Sequence, residues 1–322
     1  MSEIKHVGKL RCALENTPEE LFFSLVDYRN NLFTSNDPEK IIEFYNGFHN
    51  RDQLIQWMKE RPKGASYIHE VEGDKDIIVV IPTADFNGKY ARTCREEIFK
   101  GLHMIFVESG ENPDPFFNYA HNCNVGIKKA MEYNPKWVVV SNDDMYKVDD
   151  CAKLRSELSI VSDKYEMVFT REGIYHSRIV QISRRTLRRN TLVKMLGKYE
   201  RKRLRIEKKF SVDLIIGTTL GLKRFLYAPI KKFQYTGSIG IFSYKFIDKN
   251  MYNLFDETYI NGTEDIDLSL QTCINSLKIT RIDYSIGDLI GQTIGPYNSI
   301  RRLKGLINDC YFNFKFSQDL EY

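Results

Sequence analysis

Short apolar runs that alternate with amphipathic stretches dominate the central part of the chain. Residues 77–83 (IIVVIPT), 103–108 (HMIFVE) and 137–141 (WVVVS) have the composition of strands buried on both faces. Residues 91–100 and 116–131 lie between them and have helical character, with apolar positions three or four apart in the second. This alternation predicts βαβ units and a ligand site at the carboxyl ends of the strands.

The chain before this region is patterned as helix. Helix starts are predicted at Pro18-Glu19-Glu20 and Asp37-Pro38-Glu39, and a third helix is predicted over residues 51–59. The predicted organisation is a helical N-terminal extension over residues 1–75, a main domain over 76–295 and a C-terminal helix or tail over 296–322.

Composition favours one large folded unit. The chain has 322 residues, of which 42% are hydrophobic and 13% aromatic, and this disfavours intrinsic disorder. The first thirty residues lack the pattern of a signal peptide, and no run reaches the roughly 18 apolar residues that span a bilayer. A cytoplasmic protein, or one peripheral on a membrane surface, is expected. The six cysteines lack C-x-x-C spacing, which favours buried thiols over a zinc site or disulfides.

The net charge of +4 is unevenly distributed, with a basic excess near residues 184–210. Residues 191–210 form an amphipathic pattern, with apolar side chains on one side and lysines and arginines around the rest. Such a helix suits an anionic membrane surface, or it packs on the core with a solvated basic face. Nucleic acid is disfavoured as a partner because aromatic residues are not interleaved with the basic ones.

Two adjacent carboxylates follow the third predicted strand, in the sequence Asn142-Asp143-Asp144. Their mutual repulsion requires a cation or hydrogen bonds. A divalent cation that also binds phosphate oxygens would supply this, since Mg²⁺ usually takes one or two protein carboxylates. The alternative is an ordinary turn that caps the next helix.

A second acidic group lies in residues 255–271 (FDETYINGTEDIDLSLQ). Thr263 is predicted as an N-cap, which places Glu264, Asp265 and Asp267 in the first turn of a helix. The helix dipole favours the ionised form of such carboxylates, so one of them could accept a proton at neutral pH. The alternative is that these acids only stabilise the helix, by about 0.3–1 kcal/mol each.

In order and content these segments resemble the family 2 glycosyltransferases, particularly the rhamnosyltransferase-like branch. IIVVIPT resembles the opening strand of the family, FVESGENPD its V-D-x-G-S-x-D segment, and NYAHNCNVGIKKA its G-F-A-x-A-N-N-x-G-I-x-x-A helix. WVVVSNDDM stands where the metal motif falls, and FDETYINGTEDIDLSLQ resembles the acceptor motif F-D-E-x-F-x-x-G-E-D-x-D-L. The resemblance covers roughly residues 76–293 and implies the GT-A fold, a Rossmann-like α/β fold whose mixed sheet has helices on both faces.

The resemblance also implies roles for individual residues. Pro82, Thr83 and Glu108 would line the base and ribose of a UDP-, GDP- or dTDP-sugar. Asp143 would lie near the ribose or the metal, and Asp144 would bind Mn²⁺ or Mg²⁺ directly. Asp265 would deprotonate the hydroxyl of a glycan or lipid-linked acceptor, with Glu264 beside it, in a single inverting displacement.

The chain departs from the family at three points. Glu108 and Asn142 stand where the family usually has aspartate, and Asp288 stands where many members have a late histidine ligand. The glycine and threonine spacing after Asp288 is retained, so Asp288 is predicted to replace that histidine, the alternative being a polar turn before a strand. His121 is predicted to face the donor site, although a packed or capping role fits it as well.

Two other functions remain open at this point. A non-catalytic relative with the same fold could bind nucleic acid or a protein partner through its basic helix, and the imperfect metal motif favours this. A nucleotidyltransferase would share the sheet and the metal chemistry, but it would leave the acceptor-like motif unexplained.

Overall fold

The computed structural model describes most of the region in which the resemblance lies. The described residues are 37–110, 116–171, 178–182, 231–235, 237–289 and 299–316. The helix start at Pro18 and the basic stretch near 184–210 lie outside them. Within the described part of the chain, no helix is both long enough and apolar enough to cross a membrane.

Helices and strands alternate along most of the described chain. The helices are α1 (Pro38–Asn46), α2 (Arg51–Glu60), α3 (Lys89–Thr93), α4 (Tyr119–Met131), α5 (Cys151–Ile160), α6 (Tyr244–Lys249), α7 (Glu264–Ile274) and α8 (Ser299–Phe316). A π-helical turn, Cys94–Ile98, continues α3. The strands are β1 (Ser66–Val71), β2 (Asp74–Thr83), β3 (Leu102–Ser109), β4 (Trp137–Ser141), β5 (Met145–Lys147), β6 (Met167–Phe169), β7 (Arg178–Ile182), β8 (Lys231–Tyr235), β9 (Ile239–Ser243), β10 (Ile279–Arg281) and β11 (Ile286–Asp288).

A seven-stranded mixed sheet forms the centre of the fold, in the order β1-β3-β2-β4-β9-β6-β10. The three strands predicted from the apolar runs, β2, β3 and β4, are parallel to one another. β9 runs antiparallel to both β4 and β6, and β1 runs antiparallel to β3 at the edge. The carboxyl ends of β2, β3 and β4 therefore meet at one edge of the sheet.

Helices cover both faces of this sheet. Ile77, Val79 and Ile81 of β2 pack in an apolar cluster with α3, the π-helical turn and α5. Ile78 and Val80 point the other way and pack with α4 and α6. Because successive side chains of a strand point to opposite faces, an uninterrupted apolar run is what a strand covered on both sides requires. The prediction of an α/β fold with helices on both faces is confirmed.

A third apolar cluster joins the two ends of the described chain. It contains residues of α1, α2 and α8, together with Tyr259, Ile260 and Leu270 of the acidic segment. Ile266 and Ile274 pack against it, so this side of α7 faces the cluster. One part of the predicted helical extension differs, because Ser66–Val71 forms the edge strand β1. The described part of the C-terminal segment is helical, as predicted.

Gly126 marks a close contact between α4 and the sheet. A Cβ atom at this position would lie 2.3 Å from Cγ1 of Val80 and 2.9 Å from Cγ2 of Val107, whose side chains are fully buried. Glycine therefore allows α4 to pack directly on β2 and β3.

We expect Gly126→Ala to lower the free energy of unfolding by about 1–3 kcal/mol, the usual cost of overpacking a core. Gly305→Ala is the matched control, since a Cβ at this helical position meets nothing within 4 Å. Its higher helix propensity should raise stability by up to about 1 kcal/mol. Urea unfolding followed by circular dichroism measures both changes, and two effects of the same sign would contradict the packing argument.

Candidate functional site

Thr83 and Glu108 lie side by side where β2 and β3 end, because they are register partners in the parallel pair. Pro82 is buried one residue earlier, opposite Val107. The carboxylate of Glu108 accepts two hydrogen bonds, from the backbone N of Phe86 at 3.1 Å and from Nε2 of His69 at 2.6 Å. The three residues predicted to line a nucleotide are therefore adjacent at one edge of the sheet.

Asp143 and Asp144 follow β4 at the same edge, and both are buried, with 6% and 7% of their surface exposed. Thr83 Oγ1 donates a 2.7 Å hydrogen bond to Oδ2 of Asp143, which joins the ends of β2 and β4. The thiol of Cys94 contacts the carbonyl oxygen of Asp143 at 3.4 Å. Burial raises the pKa of this thiol, and the two neighbouring aspartates raise it further. Cys94 is therefore a neutral donor beneath the acidic pair.

Asp288 lies beside this pair. β11 pairs with β5 in antiparallel register, so Asp288 is opposite Met145, and the backbone N of Leu289 donates a 2.9 Å hydrogen bond to the carbonyl oxygen of Asp144. Oxygen ligands of this kind suit Mg²⁺ and Mn²⁺. Among the described residues, no group of three His, Cys, Asp or Glu side chains is arranged to hold a metal ion. A site for a cation here would use one or two carboxylates and take its other ligands from phosphate and water, as Mg²⁺ usually does.

Asn142 contacts Tyr119, the first residue of α4. The Tyr119 hydroxyl donates a 2.8 Å hydrogen bond to Oδ1 of Asn142, and the backbone N of Asn142 donates to the carbonyl oxygen of Ser238 at 2.8 Å. Asn142 thus holds the end of β4 against α4 and the start of β9.

The second acidic group lies at the start of α7, which begins at Glu264 as predicted. The carbonyl oxygen of Thr263 accepts the first helical hydrogen bond, from the backbone N of Asp267 at 2.8 Å. Thr263 has a φ of 79°, in the left-handed region, where an N-cap residue is normally extended. Such a conformation is costly for a β-branched residue and is found where the surrounding contacts enforce it.

Glu264 and Asp265 accept hydrogen bonds from backbone groups of this turn. The backbone N of Gly262 donates to Oε2 of Glu264 at 2.7 Å, and that of Ile266 donates to Oδ1 of Asp265 at 2.7 Å. Glu264 is buried, and Asp265 is half-buried. Burial raises the pKa of Glu264 to about 8, with the neighbouring Asp265 charge adding to the effect. This shift favours the protonated form of Glu264, which can donate a hydrogen bond.

Tyr119 joins the two acidic groups. Its hydroxyl binds Asn142, beside Asp143, and its backbone N donates a 3.0 Å hydrogen bond to Oδ1 of Asn261. Asn261 precedes Gly262, whose amide binds Glu264. Burial raises the pKa of the Tyr119 hydroxyl, and the charges of Cys123, Glu264 and Asp265 raise it further, which reflects their proximity. Two segments about 120 residues apart in the chain are thus tied together through α4.

The start of α4 is fastened to the acceptor-like segment by further contacts. Nδ2 of Asn118 donates to the carbonyl oxygens of Glu257 and Tyr259, at 2.8 and 3.0 Å. His121 pairs through Nδ1 with Oε2 of Glu257 at 2.9 Å. This contact fits the alternative prediction for His121, a packed side chain. No sequence signal singled out Tyr119 or Asn261, since a tyrosine at a helix start and an asparagine in a turn are both ordinary.

Comparison with known proteins does not assign a family. A scan against protein-family models gave no match, and a search of curated proteins found no similar sequence either. The functional argument therefore depends on the arrangement of the residues.

Proposed function

We propose that the chain is an inverting, divalent-metal-dependent glycosyltransferase of the GT-A type that uses a nucleotide-diphosphate sugar as donor. One observation carries the proposal: the segment that carries the carboxylates after β4 and the segment that leads into α7 are joined through Tyr119, by its hydrogen bonds to Asn142 and Asn261. A group that binds a diphosphate and a group that activates an acceptor have to lie near each other for a direct displacement. The resemblance assigns these two tasks to these two segments.

The sheet supports the same proposal. Parallel strands bind ligands beyond their carboxyl ends, and Thr83, Glu108 and Asn142 stand at that edge of β2, β3 and β4. The resemblance implies a mixed sheet between two helical layers, with which the seven-stranded sheet is compatible. The transferase is therefore favoured by both the topology and the placement of polar residues.

In the proposed reaction Asp265 accepts the proton of the acceptor hydroxyl while the hydroxyl oxygen forms a bond to the anomeric carbon of the donor sugar. The bond from that carbon to the diphosphate oxygen breaks, the diphosphate leaves with the electron pair, and the configuration inverts. Asp144 and Asp288, with Asp143 beside them, would hold the divalent cation. When bound, the cation would offset the negative charge of the departing diphosphate. The raised pKa of Glu264 favours its protonated form, which lowers the charge of the acidic turn and can hold the acceptor by a hydrogen bond.

Binding of the donor tests the proposal through Asp144. We expect UDP-, GDP- or dTDP-sugar to raise the melting temperature of the wild type only when Mn²⁺ is present, since a ligand of the native state stabilises it. Asp144→Asn should raise the Mn²⁺ concentration for half-maximal effect by at least about tenfold, because it removes a charged oxygen ligand.

Asp150→Asn is the matched control for this experiment. Asp150 is the N-cap of α5 and accepts a hydrogen bond from the backbone N of Lys153 at 2.8 Å. Asparagine caps helices as well as aspartate does, so this variant should keep the Mn²⁺ dependence of the wild type. Equal behaviour of the two variants would remove Asp144 from the metal site. No response to any nucleotide sugar would favour the non-catalytic binding protein instead.

A further inference from the structure

The edge strand β1 places two side chains next to Glu108, although β1 lies outside the region of resemblance. Tyr67 is the register partner of Glu108 in the antiparallel pair β1–β3, so the two side chains share one face of the sheet. His69 follows on the same face, and its Nε2 lies 2.6 Å from Oε2 of Glu108. One face of β1 therefore carries both the register partner of Glu108 and a side chain that contacts its carboxylate.

The His69 ring is held in a fixed orientation. It stacks on Phe86 with 4.3 Å between ring centroids and 7° between ring planes. The guanidinium of Arg95 lies 4.2 Å from the centroid of Phe86 and donates to the Phe86 carbonyl oxygen. Phe86 in turn donates its backbone N–H to Glu108. The stack and the two hydrogen bonds together fix the Glu108 carboxylate, whose two oxygens each accept one of these hydrogen bonds.

The carboxylate remains within reach of a ligand. The side chains of Glu108 and His69 are 25% and 34% exposed. Each carboxylate oxygen can accept a second hydrogen bond beyond the one described here. Tyr67 is 56% exposed, and its ring extends beyond the end of β3, where a Cβ at Gly110 would lie 3.2 Å from its Cε2. A flat aromatic face thus stands beside a fixed acceptor.

We propose that β1 completes a nucleobase subsite, in which Tyr67 stacks on the base and His69 orients Glu108 to accept its ring N–H. This inference rests on the proposed function, because the base is that of the donor nucleotide. Uracil, thymine and guanine carry a ring N–H on the Watson–Crick edge, whereas cytosine and adenine present a nitrogen lone pair there. The fixed carboxylate attracts the first group and repels the second, so His69 is a positioning residue for base selection.

The experiment is the measurement of dissociation constants for UDP, dTDP, GDP, CDP and ADP with Mn²⁺, by calorimetry on the full chain. The wild type should bind the best ring N–H nucleotide at least about tenfold more tightly than CDP or ADP, as sites that hydrogen-bond a ligand group discriminate strongly. His69→Phe keeps a ring for the stack but removes the N–H group that binds Glu108. It should reduce the ratio of affinities, that of the best ring N–H nucleotide over that of CDP or ADP, to about threefold or less. His69→Gln supplies an N–H donor again and should restore most of the ratio.

Variants of Tyr67 and of Ile68, which lies on the opposite face of β1, complete the binding experiment. Tyr67→Ala should weaken all five nucleotides by about tenfold or more without changing their ratio, because stacking is tolerant of the base. Ile68→Ala is the control, since Ile68 lies on the other face of β1 and is 40% exposed. It should change neither the dissociation constants nor their ratio.

The possible results separate this inference from the proposed function. A wild type that binds no nucleotide overturns both. A wild type that binds all five equally, or a folded His69→Phe variant that keeps the wild-type ratio, overturns the base subsite alone and leaves the transferase in place.

Discussion

Replacing Asp265 by asparagine should lower the rate of sugar transfer at least about 100-fold, whereas Glu264→Gln should lower this rate by less than about tenfold. General base catalysis typically contributes 10²–10⁴-fold, and asparagine cannot accept the proton. Burial and the Asp265 charge raise the pKa of Glu264 to about 8, which favours its protonated form at pH 7. Glutamine therefore resembles the form of Glu264 that is present in the wild type.

Each of the two variants replaces one carboxylate of the wild type by an amide, and the two positions are neighbours in the same helical turn. The measurement is kcat and KM with whichever nucleotide sugar the wild type turns over. Asp265→Asn should lower kcat and leave the dissociation constant of the donor within about twofold, since the base contacts the acceptor. If Glu264→Gln were the more damaging change, the roles of the two acids would have to be exchanged.

The stability of the wild type provides an independent check on the protonation of Glu264. Its pKa is raised from 4.5 to about 8 in the folded protein. The folded state thus binds a proton that the unfolded chain releases, and the resulting stabilisation is complete below pH 4.5 and is lost as the pH rises to about 8. Glu264→Gln should remove this part of the pH dependence, as measured by urea unfolding across that range.

The sequence predicted those elements whose pattern reflects local burial. The runs of β2, β3 and β4 are apolar at every position because both faces are covered, and α1, α2 and α4 carry capping residues or helical periodicity. β1 was predicted as part of a helical extension because its sequence, SYIHEV, lacks an apolar run. Among the residues that the structure describes, no strand pairs with its outer edge, and every one of its residues keeps some exposure. The antiparallel insertion of β9 depends on distant pairing with β4 and β6, which no local pattern encodes.

The candidate site was predictable as a set of residues but not as a set of contacts. Adjacent acids after a buried strand and acids at a helix start both suggest chemistry, so Asp143, Asp144, Glu264 and Asp265 could be named. Their connection through Tyr119 depends on where α4 begins relative to β4, and this is a tertiary property. The contact between His69 and Glu108 escaped prediction because His69 lies on β1, which the sequence pattern does not predict as a strand.

Lys315→Met should lower the free energy of unfolding by about 3–5 kcal/mol, the usual cost of removing one partner from a buried ion pair. Lys315 Nζ lies 2.7 Å from Oδ2 of both Asp256 and Asp267, and the Asp267 side chain is only 2% exposed. Tyr311 donates to Asp256, and Tyr259 to Asp267. Without the lysine, two carboxylates would remain close together with little solvent around them.

Lys245→Met is the matched control, because Lys245 Nζ also lies 2.7 Å from a carboxylate oxygen, that of Asp163. Both of these side chains are more than 70% exposed, so the loss of stability should be much smaller than for Lys315→Met. Urea unfolding at pH 7 compares the two variants. Losses that agree within experimental error would show that burial does not strengthen the Lys315 cluster.

The pH dependence of the Lys315→Met variant tests whether charge or packing is responsible. Burial raises the pKa of Asp267 even with Lys315 present. Burial also favours a raised pKa for Asp256, but the Lys315 hydrogen bond and charge outweigh it, so that this pKa is lowered. Removal of Lys315 should raise both, so the variant regains stability as the pH falls and the two carboxylates take up protons. Asp267 lies in the first turn of α7, so the C-terminal helix holds the turn that carries Asp265 through this charge. A deficit that did not vary with pH would instead assign Lys315 a packing role.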